Sequence, residues 1–182
     1  RITPTKGTHL AAQAAEIAGV PLKIYGTIED QGYFDTEIIP LLGEGVQYGG
    51  HLQGADLTEA IFRASVLLFT PLWDEPFGLA AIEAMACGLP IAAVENGAIR
   101  EVAGNVARYA GADAGELAEA LREAIDIPRR AARERVEGLF TMEGMLVAYE
   151  ELYGRAVDSV GHGFELPSFE AFELPVIEQA SL

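Results

Sequence analysis

The sequence is short of cysteine and of positive charge. Cys87 is the only cysteine among 182 residues, which excludes an internal disulfide and favours a reducing, cytoplasmic setting. Lysine and arginine number 12 against 28 aspartates and glutamates, giving a formal net charge of −16. Such a surface repels nucleic acid and anionic lipid, so we expect no nucleic-acid partner, and an anionic ligand needs a locally basic pocket.

Long apolar runs and several common motifs are also absent. No stretch of about 18 consecutive apolar residues occurs, which argues against a transmembrane helix. Neither GxGxxG nor GxxxxGK[ST] is present, which weakens dehydrogenase and P-loop interpretations. The three histidines have no metal-ligand spacing and no DxD pair occurs, so no metal site is predicted.

What is present is an alternation of short apolar runs and helical segments. Since half of the residues are hydrophobic, most of the chain should be globular. The alternation predicts an α/β fold in which a parallel sheet carries helices on both faces. Strands are predicted at 21–26, 46–48, 66–71, 90–94 and 106–110. Helices are predicted at 8–19, near 34–43, near 56–64, from about 78, around 98–103, near 114–126, and at 128–139 and 142–156.

The character of the sequence changes after about residue 158. Two near-copies, FELPS at 164–168 and FELPV at 172–176, lie in an acidic segment without helical or strand periodicity. This segment is interpreted as a disordered acidic tail, or as a docking segment whose Phe and Leu side chains fill pockets on a partner or another domain. We therefore divide the chain into a domain at 1–157 and a tail at 158–182.

Two glutamates stand out in the stretch EPFGLAAIEAMACGLP at 75–90. Glu75 precedes the predicted helix and Glu83 lies inside it, among small apolar residues. A helix of this composition looks buried on most faces, where a carboxylate is costly without a partner. We therefore expect a polar group to meet Glu83.

The start of the same helix is a candidate ligand site. In open α/β sheets ligands bind at the carboxyl ends of strands, and strand 66–71 leads directly to this helix. Free backbone N–H groups of Phe77, Gly78 and Leu79 would suit a phosphate or a sugar oxygen. A nucleoside diphosphate sugar has the matching parts, with sugar hydroxyls for Glu75 and ribose hydroxyls for Glu83.

Phosphates also need cations, and this chain has few. Arg1 and Lys6 flank a polar turn ahead of the first helix, at the edge of the sheet where the 75–90 helix begins. Taken alone they are ordinary surface charges. Taken with Glu75 and Glu83, they would neutralise a diphosphate from the other side of the site.

These residues carry a resemblance to a known family. The pattern E75-PFGLAAI-E83 matches the glutamate, seven residues, glutamate motif of retaining glycosyltransferases with the GT-B fold, the large family-four group, and R1-ITPT-K6-G7 resembles their diphosphate-binding turn. The stretch ENGAIREV at 95–102 is similar to the family's glycine-rich stretch ending in Pro-Glu, although Arg100 stands where a proline is usual. The resemblance covers roughly residues 1 to 155.

The resemblance implies the Rossmann-like, donor-binding C-terminal half of such an enzyme. By this resemblance Glu75 binds the donor sugar, Glu83 the ribose, Arg1 and Lys6 the diphosphate, and the amides of Phe77, Gly78 and Leu79 the sugar and phosphate. It further implies no cofactor and no metal beyond the nucleotide-diphosphate-sugar donor.

The same resemblance implies that part of the enzyme is missing. An N-terminal half would bind the acceptor, without which we expect this chain to be inactive. The resemblance also places that fold's first strand before Arg1, which would leave strands 21–26 and 66–71 without a common neighbour.

Other interpretations stay open at this stage. The chain could instead be a non-catalytic sugar-nucleotide-binding or interaction module, or a GT-B-fold epimerase or phosphorylase, which the paired-glutamate spacing disfavours. Trp73 and Tyr25 either wall the donor pocket or simply pack. His9 is interpreted as a helix-surface residue. The basic cluster of the 128–139 helix is interpreted as a solvated face or as a peripheral membrane contact; it consists of Arg129, Arg130, Arg133 and Arg135.

Overall fold

The computed structural model describes residues 1–159, and its first compact unit is Arg1–Thr141. Five short parallel strands form two sheets in this unit. β1 (Leu22–Ile24) pairs with β2 (Val46–Tyr48), and β3 (Leu67–Phe69), β4 (Ile91–Val94) and β5 (Ala107–Ala110) form a second sheet in the order β3-β4-β5. The predicted parallel α/β architecture is confirmed.

Helices follow the strands at nearly the predicted positions. The first, α1, begins after Gly7 and ends at Gly19, whose left-handed backbone (φ 72°) caps it. The segment predicted near 34–43 begins earlier, with α2 at Gln31, because the Asp30 carboxylate accepts a hydrogen bond from the Tyr33 amide. A π-helix (Phe34–Ile38) and a 3-10 helix (Ile39–Leu41) continue that segment. The α-helices of this unit are α1 (Thr8–Ala18), α2 (Gln31–Tyr33), α3 (Gly54–Arg63), α4 (Leu79–Ala86), α5 (Ile99–Ala103), α6 (Ala114–Ala124) and α7 (Arg129–Leu139).

The main core surrounds the middle strand of the larger sheet. All four residues of β4 are buried, and α4, α5 and α6 contribute buried apolar side chains to the same cluster. A continuous apolar run is what a strand covered on both faces requires. A second, smaller cluster lies beside β1 and β2 and includes Ile2, Tyr33, Phe34 and Ile38.

The two sheets do not share a strand. Within residues 1–159, β1 pairs only with β2, and β3 pairs only with β4. The N-terminal turn runs between them: Ile2 forms a parallel bridge with Ile28 on the β1 side, and the Leu72 amide donates to the Thr5 carbonyl on the β3 side. The first residues of the chain therefore contact the end of each sheet.

The second unit begins at Met142 with α8 (Met142–Ser159), an 18-residue helix that extends past the predicted end at 156. The FELPS and FELPV repeats lie outside the described residues, and the division at residue 157 stays a prediction. None of the helices in the described part of the chain is long and apolar enough to cross a membrane.

Candidate functional site

The candidate site lies where β3 ends and α4 begins. Gly78 takes a left-handed conformation (φ 84°) and precedes the first turn of α4, which no side chain caps. The first hydrogen bond of this helix is donated by the Ala81 amide to the Gly78 carbonyl, at 2.9 Å. The amides of Gly78 and Leu79 therefore precede the first helical hydrogen bond and are placed to meet an anion.

A cation and a carboxylate meet directly beside this helix start. The Lys6 ammonium lies 2.5 Å from Oε2 of Glu75, across 69 residues of sequence. Both side chains are largely shielded, with exposed fractions of 25% for Lys6 and 17% for Glu75. The structure thus brings together two of the residues predicted for the site, but as a mutual ion pair, a contact that the sequence did not reveal.

The backbone fixes Lys6 from behind. The buried Thr70 hydroxyl donates to the Lys6 carbonyl at 2.9 Å, and the Leu72 amide donates to the Thr5 carbonyl at 2.8 Å. Gly7, at φ 63°, passes so close to β3's end that a Cβ would lie 2.2 Å from the Thr70 carbonyl oxygen. The close approach explains why glycine follows Lys6 in this turn.

Trp73 completes the group around Glu75. Its indole Nε1 donates to the same Oε2 at 3.1 Å, and the Lys6 ammonium lies 5.2 Å from the centre of its ring. The indole remains 41% exposed. Of the two interpretations of Trp73, the structure supports a place in the wall of the site.

The 95–101 loop supports Glu75 from a third side. The Ala98 amide donates to the Glu75 carbonyl at 2.9 Å, and a Cβ on Gly97 (φ 59°) would lie 2.4 Å from that same oxygen. The two segments pack backbone to backbone, so the position of Glu75 depends on this loop.

Arg100, the departure from the usual proline, closes the 95–101 loop on itself. Its guanidinium forms a two-pronged ion pair with Glu95 and lies 4.2 Å from the centre of the Tyr109 ring. The hydrogen bonds from Arg100 hold the pKa of Glu95 below its usual value. Burial raises the pKa of Tyr109, although the Arg100 charge opposes that effect.

Arg1 has a partner of its own. Its guanidinium lies 3.5 Å from the Glu29 carboxylate, and both side chains are well exposed. The Ile2 amide bonds the Thr27 carbonyl at 2.8 Å, which ties this end of the turn to the β1 side. Exposed pairs of this kind contribute about 0–1 kcal/mol, so Arg1 can exchange Glu29 for a ligand at little cost.

The expectation that Glu83 lies in a buried helix is wrong. Glu83 is exposed, one turn after the exposed Leu79 on the same face of α4, and in residues 1–159 no side chain pairs with it. The helix buries Ala81, Ala84 and Met85 instead. The carboxylate therefore needs no protein partner, and it is open to a ligand that also reaches the helix start.

Two apolar side chains flank the helix start. Phe77 is 45% exposed and packs edge-to-face on Phe140, with ring centroids 6.1 Å apart, and Leu79 is 65% exposed. The family resemblance implies a role for these positions only through their backbone amides. The structure adds an apolar rim beside the uncapped amides.

Two further interpretations need correction. His9 is not simply on the surface, since its Nδ1 lies 2.7 Å from the hydroxyl of the buried Tyr33. Three of the α7 arginines are exposed, as a solvated face requires, and Arg135 is half-buried. The face is not free of contacts, however: Arg129 donates to the Ala64, Phe62 and Cys87 carbonyls, Arg133 to the Ala86 carbonyl and Arg135 to the Val102 and Glu101 carbonyls. These side chains cap the ends of neighbouring helices, where cations are favoured.

The arrangement defines a class of protein: an α/β domain with helices on both sides of parallel strands, in which Lys6, Glu75 and the uncapped start of α4 lie together at the end of β3. Residues 1–137 match the sequence model of the family described as glycosyl transferases group 1. The chain belongs to this family, and its fold is that of GT-B glycosyltransferase domains.

Curated relatives agree with the family. The D-inositol 3-phosphate glycosyltransferase of Mycobacterium avium (strain 104) is 31% identical over 143 residues, which cover 72% of this chain and 33% of that protein. A glycogen synthase of Mycobacterium tuberculosis (strain ATCC 25618 / H37Rv) is 32% identical over 116 residues, covering 59% of this chain and 28% of that protein. The chain thus spans about a third of the length of the curated relatives it matches.

A solved structure shows the same fold. The crystal structure of AviGT4, a glycosyltransferase involved in avilamycin A biosynthesis, superposes with a TM-score of 0.76 at 25% identity. The match covers 87% of this chain and 50% of AviGT4. This chain therefore corresponds to about half of the AviGT4 chain.

Proposed function

We propose that this chain is the donor-binding half of a retaining glycosyltransferase that uses a nucleotide-diphosphate sugar. The observation that carries the proposal is the Lys6–Glu75 pair beside the uncapped start of α4. Cation, carboxylate and free amides lie at one point, which is what a ligand with both a diphosphate and sugar hydroxyls requires. Glu83, exposed one turn further along, is in position for the ribose.

Each group has a defined task in the proposed reaction. Lys6 and the amides of Gly78 and Leu79 stabilise negative charge on the diphosphate as the bond to the sugar breaks, which is electrostatic catalysis aimed at developing charge. Arg1 joins them after leaving Glu29. Glu75 accepts hydrogen bonds from hydroxyls of the transferred sugar and fixes its orientation.

The proposal assigns the acceptor to residues outside this chain and requires no metal or other cofactor. Membrane contact through α7 is not part of it, because three of that helix's arginines are bound to carbonyl groups and Arg130 pairs with Glu134. Because the proposal requires no metal, donor affinity should be the same with and without EDTA. Retention is tested separately, from the anomeric configuration of the glycoside product by NMR.

The first test is calorimetric titration of UDP, GDP and ADP into the chain, with Glu83→Gln beside it. Binding of one nucleotide that falls about 10-fold in the variant, the loss of a charge-assisted hydrogen bond, supports the proposal and identifies the base. Glu119→Gln is the matched control, because Glu119 is also an exposed helical glutamate but lies on α6. Failure of a folded chain to bind any of the three would overturn the proposal in favour of the interaction-module interpretation.

A further inference from the structure

Glu75 has an uneven set of partners. Its Oε2 accepts hydrogen bonds from two donors, the Lys6 ammonium at 2.5 Å and the Trp73 indole N–H at 3.1 Å. Within residues 1–159, Oε1 has no hydrogen-bond partner. One oxygen is thus held by the protein, and the other is left for a ligand.

Trp73 is itself fixed on both sides. The Leu72 amide before it is bonded to the Thr5 carbonyl, and the Glu75 carbonyl after it accepts from the Ala98 amide. The indole therefore has a defined starting point on the backbone, while the residue remains 41% exposed. A group placed in this way can orient its neighbours without becoming part of the core.

The same ring also faces the Lys6 ammonium, 5.2 Å from its centre. An ammonium has three N–H donors, of which Glu75 takes one. The contact with the ring holds the ammonium by a cation–π interaction rather than by a second hydrogen bond, so a donor remains for a diphosphate oxygen.

From these contacts we propose that Trp73 is a positioning residue for the donor sugar: its indole N–H locks Oε2 of Glu75 so that Oε1 faces a sugar hydroxyl, while its ring holds Lys6 toward the diphosphate. This inference rests on the proposed function and deepens it. It gives two features of the Trp73 side chain separate tasks: the indole N–H acts on the sugar of the donor, and the ring acts on its diphosphate.

Two substitutions separate these features. Trp73→Phe removes the N–H and keeps an aromatic face, so affinity for a nucleotide sugar should fall about 10-fold, the lower end for a hydrogen bond to a charged group, while affinity for the nucleoside diphosphate changes less than about 2-fold. Trp73→Leu also removes the ring, and the nucleoside diphosphate itself should then bind about 2- to 5-fold more weakly. Phe62→Leu, an exposed aromatic position on α3, is the control and should change neither affinity.

The probes are UDP, GDP and ADP, each paired with a sugar derivative: UDP-glucose, GDP-mannose and ADP-glucose. Circular dichroism verifies that each variant is folded. Benzothienylalanine introduced at position 73, which replaces the indole N–H by sulfur and keeps the ring shape, should reproduce the Trp73→Phe result. Trp73 is the only tryptophan of the sequence, so its fluorescence emission should change as ligand is added. The change should saturate, and the dissociation constant fitted to it should equal the one measured by calorimetry.

The outcomes are distinguishable. If the unmodified chain binds none of the probes, the proposed function fails and this inference falls with it. If it binds them but Trp73→Phe and the sulfur analogue match wild type, the inference is overturned and the proposed function stands. If Trp73→Phe weakens the affinity for nucleotide sugars and for nucleoside diphosphates equally, Trp73 has a structural role and the inference is also overturned. The same holds if Trp73 emission does not change when ligand binds.

Discussion

The hydroxyl of Thr70, at the end of β3, donates a hydrogen bond to the backbone carbonyl of Lys6, 64 residues away in sequence and 2.9 Å away in space. Apart from Tyr33, Thr70 is the one buried residue in residues 1–159 whose side chain carries a polar group. Its position gives Lys6 a fixed backbone from which the side chain reaches Glu75. The bond therefore links the stability of the domain to the geometry of the site.

Replacing Thr70 by valine tests that link. The variant keeps the shape but leaves the Lys6 carbonyl without this donor, so the free energy of unfolding should fall by about 1–3 kcal/mol. Nucleotide affinity should fall as well, because Lys6 loses its anchor. Urea unfolding measures the first effect and calorimetry the second. Thr58→Val removes a comparable hydroxyl contact on the exposed face of α3 and should change stability by no more than about 0.5 kcal/mol.

Lys6→Ala should separate turnover from binding in the glycosyltransferase. In the proposed reaction the ammonium stabilises charge that develops on the leaving diphosphate, so kcat should fall about 100-fold or more while donor affinity falls less. Steady-state kinetics with a separate measurement of the donor Kd distinguishes the two. Lys23, the other lysine of the sequence, bonds Gln47 on the β1–β2 pair, and Lys23→Ala is the matched control. Equal losses of kcat and affinity in Lys6→Ala would count against this role.

Glu83→Gln should affect ligand and fold differently. Since Glu83 is exposed, the unfolding free energy should stay within about 0.5 kcal/mol of wild type. Affinity should drop only for ligands that carry ribose hydroxyls. Titration with a 2′,3′-dideoxynucleoside diphosphate checks this, because that ligand should bind wild type and variant alike. A loss of the same size for the dideoxy ligand would remove Glu83 from the ribose contact.

Gly97→Ala should displace Glu75. A Cβ at this position lies 2.4 Å from the Glu75 carbonyl oxygen, and φ is 59°, so clash and backbone strain act together. Gly19→Ala provides the comparison. Gly19 also has a positive φ, of 72°, but a Cβ there meets nothing within 4 Å. We expect about 1 kcal/mol of destabilisation for Gly19→Ala and clearly more for Gly97→Ala, measured by thermal unfolding. Only Gly97→Ala should also lose ligand affinity.

The Glu95–Arg100 pair should make the 95–101 loop sensitive to acid. Hydrogen bonds from Arg100 lower the pKa of Glu95 in the folded chain, so the pair stabilises the fold above the ordinary carboxyl pKa of about 4.3 and this contribution is lost as pH falls through the lower, folded pKa. Wild type should therefore exceed Glu95→Gln in melting temperature at pH 7, and the difference should shrink as the pH is lowered below about 4.3. A difference that is independent of pH would exclude the ion pair as its cause.

The sequence predicted the elements well and their side-chain contacts poorly. Gly19 and the strand 46–48 were placed by local signals, namely a left-handed helix cap and a short apolar run, and both were confirmed. The face of α4 was not predictable, because a helix of alanines and other small apolar residues has almost no periodic contrast. Glu83 was therefore expected to be buried and is exposed.

Contacts that depend on loop conformation were also missed. The Lys6–Glu75 pair joins two turns far apart in sequence, and no local pattern encodes their distance. The sequence does not reveal the contact between His9 and Tyr33, because Tyr33 comes from a separate segment. The motif resemblance named Lys6 and Glu75 as site residues, but their arrangement needed coordinates.

The N-terminal turn touches both sheets, through Ile2 and Ile28 on one side and through Thr5, Lys6 and the end of β3 on the other. The backbone that carries the Lys6 ammonium therefore also connects the two sheets. A ligand that contacts both Lys6 and the start of α4 would strengthen this connection. With saturating ligand, the two sheets should therefore unfold as one cooperative unit. In this domain, the residues proposed for ligand binding are also residues that connect the two sheets.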